Sequence, residues 1–138
     1  MKTQIFNAAD LTDVQLARAA QDIAHGAVAV FPTDTVYGIG TDAFNEESIS
    51  RIYTLKNRPA GSALQILTGT VEQAKAITQW GPQAQKLAQA FWPGALTVIL
   101  PANAAGQPLL RGFAALGIRV PGNRFLVELM TQMGGALA

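Results

Sequence analysis

The 138-residue sequence has no cysteine and one histidine, His25. The first absence excludes disulfides, thiolate nucleophiles and cysteine-ligated metals. The second leaves almost no room for Ser-His-Asp catalysis or a multi-histidine metal site, and no metal ligands from the protein are expected. Charged residues make up only 14% of the chain, against a usual share of about 25%. No apolar run approaches the ~18 residues of a membrane helix, and Met1–Asn7 does not read as a signal peptide. Internal repeats and low-complexity stretches are missing too, which rules out solenoid and disordered readings. These absences point to a soluble cytoplasmic domain whose chemistry would run on backbone amides, hydroxyls, carboxylates, Lys and Arg.

Hydrophobic residues, at 49%, suffice for one core, and the length fits a single domain over residues 1–138. Leu11, Val14, Ala17 and Ile23 recur at helical spacing, predicting a helix over Thr12–Ala24 with a Thr12/Gln15 capping box and a stop at Gly26. Ala27–Phe31 (AVAVF) is wholly apolar, the pattern of a strand buried on both faces. Further helices are predicted at Glu46–Leu55 with Asn45 as cap, and at Val71–Thr78, Pro82–Phe91 and Asn123–Met133. Further strands are predicted at Ala63–Leu67, Thr97–Leu100 and Leu116–Val120. Pro101–Arg111 reads as loop. Strands alternating with helices argue an α/β domain with a largely buried sheet. Ala136-Leu137-Ala138 reads as the opening of another apolar strand, so the domain is expected to continue beyond it.

Charge is unevenly distributed. Residues 1–50 hold two basic and seven acidic groups, net −5, whereas residues 51–138 hold eight basic and two acidic groups, net +6. A basic half with few counter-charges suits an anionic ligand. Within it, Lys56 and Arg58 follow a predicted helix closely, and Arg51 lies within two turns, without an acid nearby. Lys as a point charge and Arg as a bidentate fork suit a polyphosphate. Arg119, between Ile118 and Val120 on a predicted core strand, must find an anion or incur a desolvation cost of several kcal/mol. With few acids nearby in sequence, a ligand carboxylate or phosphate competes with Asp or Glu for that place.

The polar segment Pro32-Thr33-Asp34-Thr35-Val36-Tyr37-Gly38-Ile39-Gly40 directly follows AVAVF, where open α/β sheets place ligands. On the segment alone, a capped turn with its threonines bonded to their own backbone is the simpler account. Gly38-Ile39-Gly40-Thr41-Asp42-Ala43 matches a dinucleotide fingerprint only weakly, because the glycines do not open a helix. Trp92-Pro93-Gly94-Ala95-Leu96-Thr97 reads as a tight turn over a packed Trp92.

Taken in order, PTDTVYGIG, LKNRP, WPGALT and IRVP resemble the YrdC-like family of threonylcarbamoyl-AMP synthases (TsaC type), from about Gln21 onward. The resemblance implies a twisted, open, mixed sheet with flanking helices and a large basic concave cavity. It implies synthesis of threonylcarbamoyl-AMP from L-threonine, bicarbonate or CO2, and ATP, with Mg2+ assisting. The product would pass to a tRNA threonylcarbamoyl transferase complex for the t6A modification. By matching position, Thr35 and Arg119 would hold L-threonine, Lys56, Arg58 and Ser62 would hold ATP, and Thr33 and Thr97 would line the cavity. The family's Ser-x-Asn motif would lie beyond Ala138, and a threonine-holding histidine of some members is Leu67 here. A double-stranded-RNA-binding module, or a paralogue with a different acyl acceptor, are the alternative functions.

Overall fold

Each helix begins where the sequence offers a cap. In the computed structural model, which describes residues 3–138, Thr12 and Gln15 form the reciprocal capping box that opens α1 (Asp13–Ala24). Asn45, Thr70 and Asn123 each accept a bond from a first-turn amide of α2 (Glu46–Leu55), α3 (Val71–Ile77) and α5 (Arg124–Met133). Pro82 opens α4 (Pro82–Phe91), and Gly134 in the left-handed region closes α5. The strands are β1 (Ala29–Phe31), β2 (Gly38–Gly40), β3 (Gln65–Leu67), β4 (Val98–Leu100) and β5 (Leu116–Arg119). A 3-10 turn, Gln107–Leu110, lies within the stretch expected to be loop.

The strands form an antiparallel pair, β1-β2, and a mixed sheet in the order β3-β5-β4. β3 runs parallel to β5, and β4 antiparallel to it. Residues 136–138 lie between the two sheets and pair with both. Thr41 and Ala138 exchange backbone bonds of 3.1 and 3.0 Å on one side, and Leu67 and Leu137 exchange bonds of 2.8 and 3.0 Å on the other. The expected strand at Ala136–Ala138 thus takes the form of a three-residue bridge. It makes the two sheets one open surface.

The two-residue period of the strands sorts their side chains by face. Ile66, Val98, Leu100, Leu116 and Ile118 point into a core closed by Ile49 of α2, Ala74 and Ile77 of α3, and Ala84 and Ala88 of α4. On the opposite face Leu67, Phe31 and Leu137 are covered by Leu16, Ala20 and Ile23 of α1 and by Leu126, Leu129 and Met130 of α5. Those two helices stop short of the far strands, so Gln65 and Ile99 stay exposed on this face. The fold is therefore the expected mixed α/β sheet with flanking helices.

Two expectations need correction. β1 is not buried on both faces: Val30 is 68% exposed, because β1 lies at the edge of the sheet with only β2 beside it. The segment Gly38–Gly40 is a strand rather than loop, paired Val30 to Ile39 and Phe31 to Gly38, so it forms no dinucleotide turn. Its glycines admit the Phe31 ring. A Cβ at Gly40 would stand 2.9 Å from Phe31 Cζ and 3.0 Å from the Ala138 carbonyl oxygen. Gly40→Ala should therefore destabilise the protein by about 1–3 kcal/mol through overpacking. Chemical denaturation will measure this, and Phe31→Leu in the same background should recover part of the loss.

Candidate active site

Arg119 occupies the last position of β5 with its side chain only 8% exposed, and all of its guanidinium edges are directed. Nε donates to the Gly94 carbonyl at 2.8 Å. Nη2 forms an ion pair with Asp34 Oδ1, and Nη1 reaches Thr35 Oγ1 at 3.4 Å. Asp34 is held in turn, its Oδ2 accepting the Gly122 amide at 3.0 Å. The WPGALT turn supplies the Gly94 acceptor because it is locked from below. Trp92 is buried and donates through Nε1 to the Leu96 carbonyl at 2.7 Å, and the Gly94 amide bonds the Val120 carbonyl at 2.8 Å. A side chain at 94 would meet the Phe91 carbonyl oxygen at 2.4 Å, which explains the glycine.

Of the two kinds of partner expected for Arg119, a ligand anion or an acidic side chain, the second is present. Its counter-ion is Asp34, 85 positions earlier in the chain, carried across by the β1–β2 connection. One guanidinium edge remains, at Nη1, and it faces Thr35. That hydroxyl is also 3.0 Å from Thr33 Oγ1, while Thr33 donates to the Val36 carbonyl at 2.5 Å and accepts the Thr35 amide at 3.0 Å. Thr33 thus behaves as a turn-forming threonine, and Thr35 is the exposed hydroxyl of the pair. Thr97, which accepts from Gln65 Nε2, stands on the same open face of the sheet.

Lys56, Arg58 and Ser62 form a second group before β3. Lys56 is exposed at the C-terminal end of α2. Arg58 folds back onto its own loop, donating from Nε to the Ser62 carbonyl at 3.3 Å and from Nη2 to the Ala63 carbonyl at 2.7 Å. Tyr53 donates its hydroxyl to the same Ser62 carbonyl at 2.9 Å. These partners are neutral, so the charge of Arg58 is not cancelled. Arg51 does not join the group: its Nη2 bonds the Gly26 carbonyl. A cavity of about 520 Å3 opens beside Arg58, between α2 and the 3-10 turn, and is lined by Tyr53, Phe113, Arg111 and Glu46. Arg111 pairs with Glu46 there at 3.0 Å. The sequence-derived residues therefore fall into two sets. Thr33, Thr35, Thr97 and Arg119 gather at the C-terminal end of β5, whereas Lys56, Arg58 and Ser62 gather before the start of β3.

The family model Sua5/YciO/YrdC, described as "Telomere recombination", matches residues 21–138. The chain belongs to the Sua5/YciO/YrdC family. It is 35% identical over 129 residues to the threonylcarbamoyl-AMP synthase of Bacillus subtilis (strain 168), covering 91% of this chain and 37% of that protein. With the enzyme of the same name from Hahella chejuensis (strain KCTC 2396) the identity is 34%, over 88% of this chain and 67% of that protein. The crystal structure of P. abyssi Sua5 complexed with L-threonine superposes with a TM-score of 0.85 at 31% identity, over 94% of this chain and 38% of that one. E. coli YciO, 22% identical over 93% of this chain and 63% of that one, shares the fold with a TM-score of 0.83. The chain thus spans from about a third to two thirds of the length of these relatives.

Sequence reasoning missed three participants: Asp34 as counter-ion, the Gly94 carbonyl as acceptor, and Gln65 beside Thr97. Asp34 was visible as the only acid in the PTDT segment, but nothing local tied it to residue 119. Breaking this pair leaves a buried guanidinium unmatched. Asp34→Asn should lower stability by about 3 kcal/mol. Adding Arg119→Met should restore much of the loss, as read by denaturant titration of the single and double variants.

Proposed function

We propose that this chain forms the substrate-holding part of an L-threonylcarbamoyladenylate synthase. Such an enzyme joins L-threonine, bicarbonate or CO2, and ATP into threonylcarbamoyl-AMP and pyrophosphate, in the cytoplasm, for tRNA threonylcarbamoylation by a transferase complex. The observation that carries the reading is Arg119 Nη1, which faces no acid and donates to the exposed hydroxyl of Thr35 at 3.4 Å. It opens on a sheet face left uncovered by helices, in a fold shared with a relative solved with L-threonine.

Adenylation brings an anionic carboxylate against an anionic α-phosphate, so each partner needs its own cation. Arg119 and Thr35 hold the amino-acid carboxylate at one end of β5. Lys56 and Arg58 hold the phosphates at the other, with Ser62 beside the nucleotide and Thr33 and Thr97 as walls. The two groups lie toward opposite ends of neighbouring parallel strands, β5 and β3, as two sites for one extended ligand would. Fixing both anions on a rigid sheet supplies orientation, and the uncancelled charges of Lys56 and Arg58 supply neutralisation at the phosphates, which together carry most of the acceleration for such a step. Among the described residues no three His, Cys, Asp or Glu side chains cluster, and no step here runs through a metal; Mg2+ bound with ATP would supply charge neutralisation at the phosphates. No described helix is long and apolar enough to cross a membrane.

Isothermal titration calorimetry tests the assignment. ATP should bind, and Lys56→Ala should weaken it by ~10-fold, the worth of one charge-assisted bond. Arg58→Ala should weaken it at least as much, since it also loosens the 59–64 loop. Arg119→Ala should abolish L-threonine binding while leaving ATP binding intact. Unchanged ATP affinity in both loop variants would remove the phosphate assignment, and normal threonine binding by a folded Arg119→Ala would remove the carboxylate assignment.

A further inference from the structure

The open face of the sheet carries one polar contact that the assignments above leave unused. β3 and β4 flank β5, so side chains reaching from one to the other cross two strand spacings, about 9.6 Å. Gln65 makes this crossing, its Nε2 donating to Thr97 Oγ1 across 32 residues of sequence. It passes Gly117, the register partner of both Gln65 and Ile99. A glycine inside a strand marks a close approach of something other than its own side chain. Here a Cβ would stand 3.4 Å from Thr97 Cγ2 and 3.5 Å from Ile99 Cδ1, so residue 117 leaves the floor low. Arg119 with Thr35 lies two residues further along β5, and the Arg58 loop precedes β3. Gln65 therefore sits between the two cation groups, where a ligand joining them would pass.

A primary amide offers two N–H donors and one oxygen acceptor. With one N–H given to Thr97, Gln65 keeps one donor, and its Oε1 has no partner among the described residues. That remaining edge, one donor beside one acceptor, complements a group that also carries one N–H and one oxygen on a shared carbon. A carbamate has that pattern. A protonated amine presents donors only.

Resting on the function proposed above, we propose that Gln65 is a specificity-determining residue that recognises the amino-acid substrate in its N-carboxylated form. The neutral amine attacks CO2, the N–C bond forms, one C=O electron pair moves onto oxygen, and the nitrogen releases one proton to water. The resulting carbamate N–H donates to Gln65 Oε1, and a carbamate oxygen accepts from Nε2. Thr97 is a positioning residue that fixes which amide edge faces the ligand.

The test is calorimetric titration of the 138-residue chain with L-threonine at mildly alkaline pH, in CO2-free buffer and again with bicarbonate. Wild type should gain ~10-fold or more in apparent threonine affinity when bicarbonate is present, the worth of a hydrogen-bond pair. Gln65→Leu should lose that gain while keeping its CO2-free affinity and its ATP affinity, and Gln65→Glu should lose it too, by repelling the carbamate. Thr97→Val should reduce the gain without abolishing it. The inference falls if the gain persists in Gln65→Leu, if that variant loses CO2-free binding instead, or if wild type shows no gain. Should wild type bind no threonine in either buffer, the proposed function itself fails, and this inference with it. Gln65 is exposed, so the variants should melt like wild type. If Gln65→Leu does not, Gln65→Met carries the same comparison.

Discussion

Residues 136–138 accept and donate backbone hydrogen bonds on both of their edges, to Thr41 and Ala43 on one side and to Leu67 on the other. Without them the β1-β2 pair and the β3-β5-β4 sheet have no shared ladder. With them, the β1–β2 connection is carried over the end of β5, and Asp34 arrives beside Arg119. The contacts of Arg119 with Asp34 and Thr35 follow from that placement. The apolar layer beneath serves the same end. Leu137 is buried among Phe31, Leu67, Leu126 and Met130, so the helices α1 and α5 clamp the seam from one side.

The site has two electrostatic characters. At the end of β5 the cation is buried and neutralised internally, and its value to a ligand lies in direction rather than in net charge. Before β3 the cations are exposed or bonded only to carbonyls, and their value is attraction. The proposed reaction joins a mutually repelling pair of anions and would draw on both: one partner held at a fixed angle, the other drawn in and screened. The order along β5 matches this division, with the directional group at one end and the attractive group at the other.

Much of the fold was legible from local chemistry. Thr12, Asn45 and Pro82 announced helix starts that the structure reproduces. Strand boundaries drifted by one or two residues, as at Gln65 and Val98, since edge residues there lack ladder partners. What stayed hidden was non-local. The Gly38–Gly40 strand has almost no side chains to show a period, and its pairing is set by the Phe31 ring that the glycines accommodate. Arg119 was recognisable as a buried cation on an apolar strand, but its partner lies 85 residues away. Arg58 was recognisable as a cation after a helix, yet its fold-back onto Ser62 and Ala63 depends on a loop path that no local pattern encodes.

The occupied edges of Arg119 have a stereochemical consequence. Gly94 and Asp34 occupy two edges of the guanidinium, so an anion reaching it would have to approach at Nη1, beside the Thr35 hydroxyl. A contact of this kind sets the direction from which a group arrives and leaves its rotation about that line open, so handedness would have to be imposed by further contacts on the sheet floor.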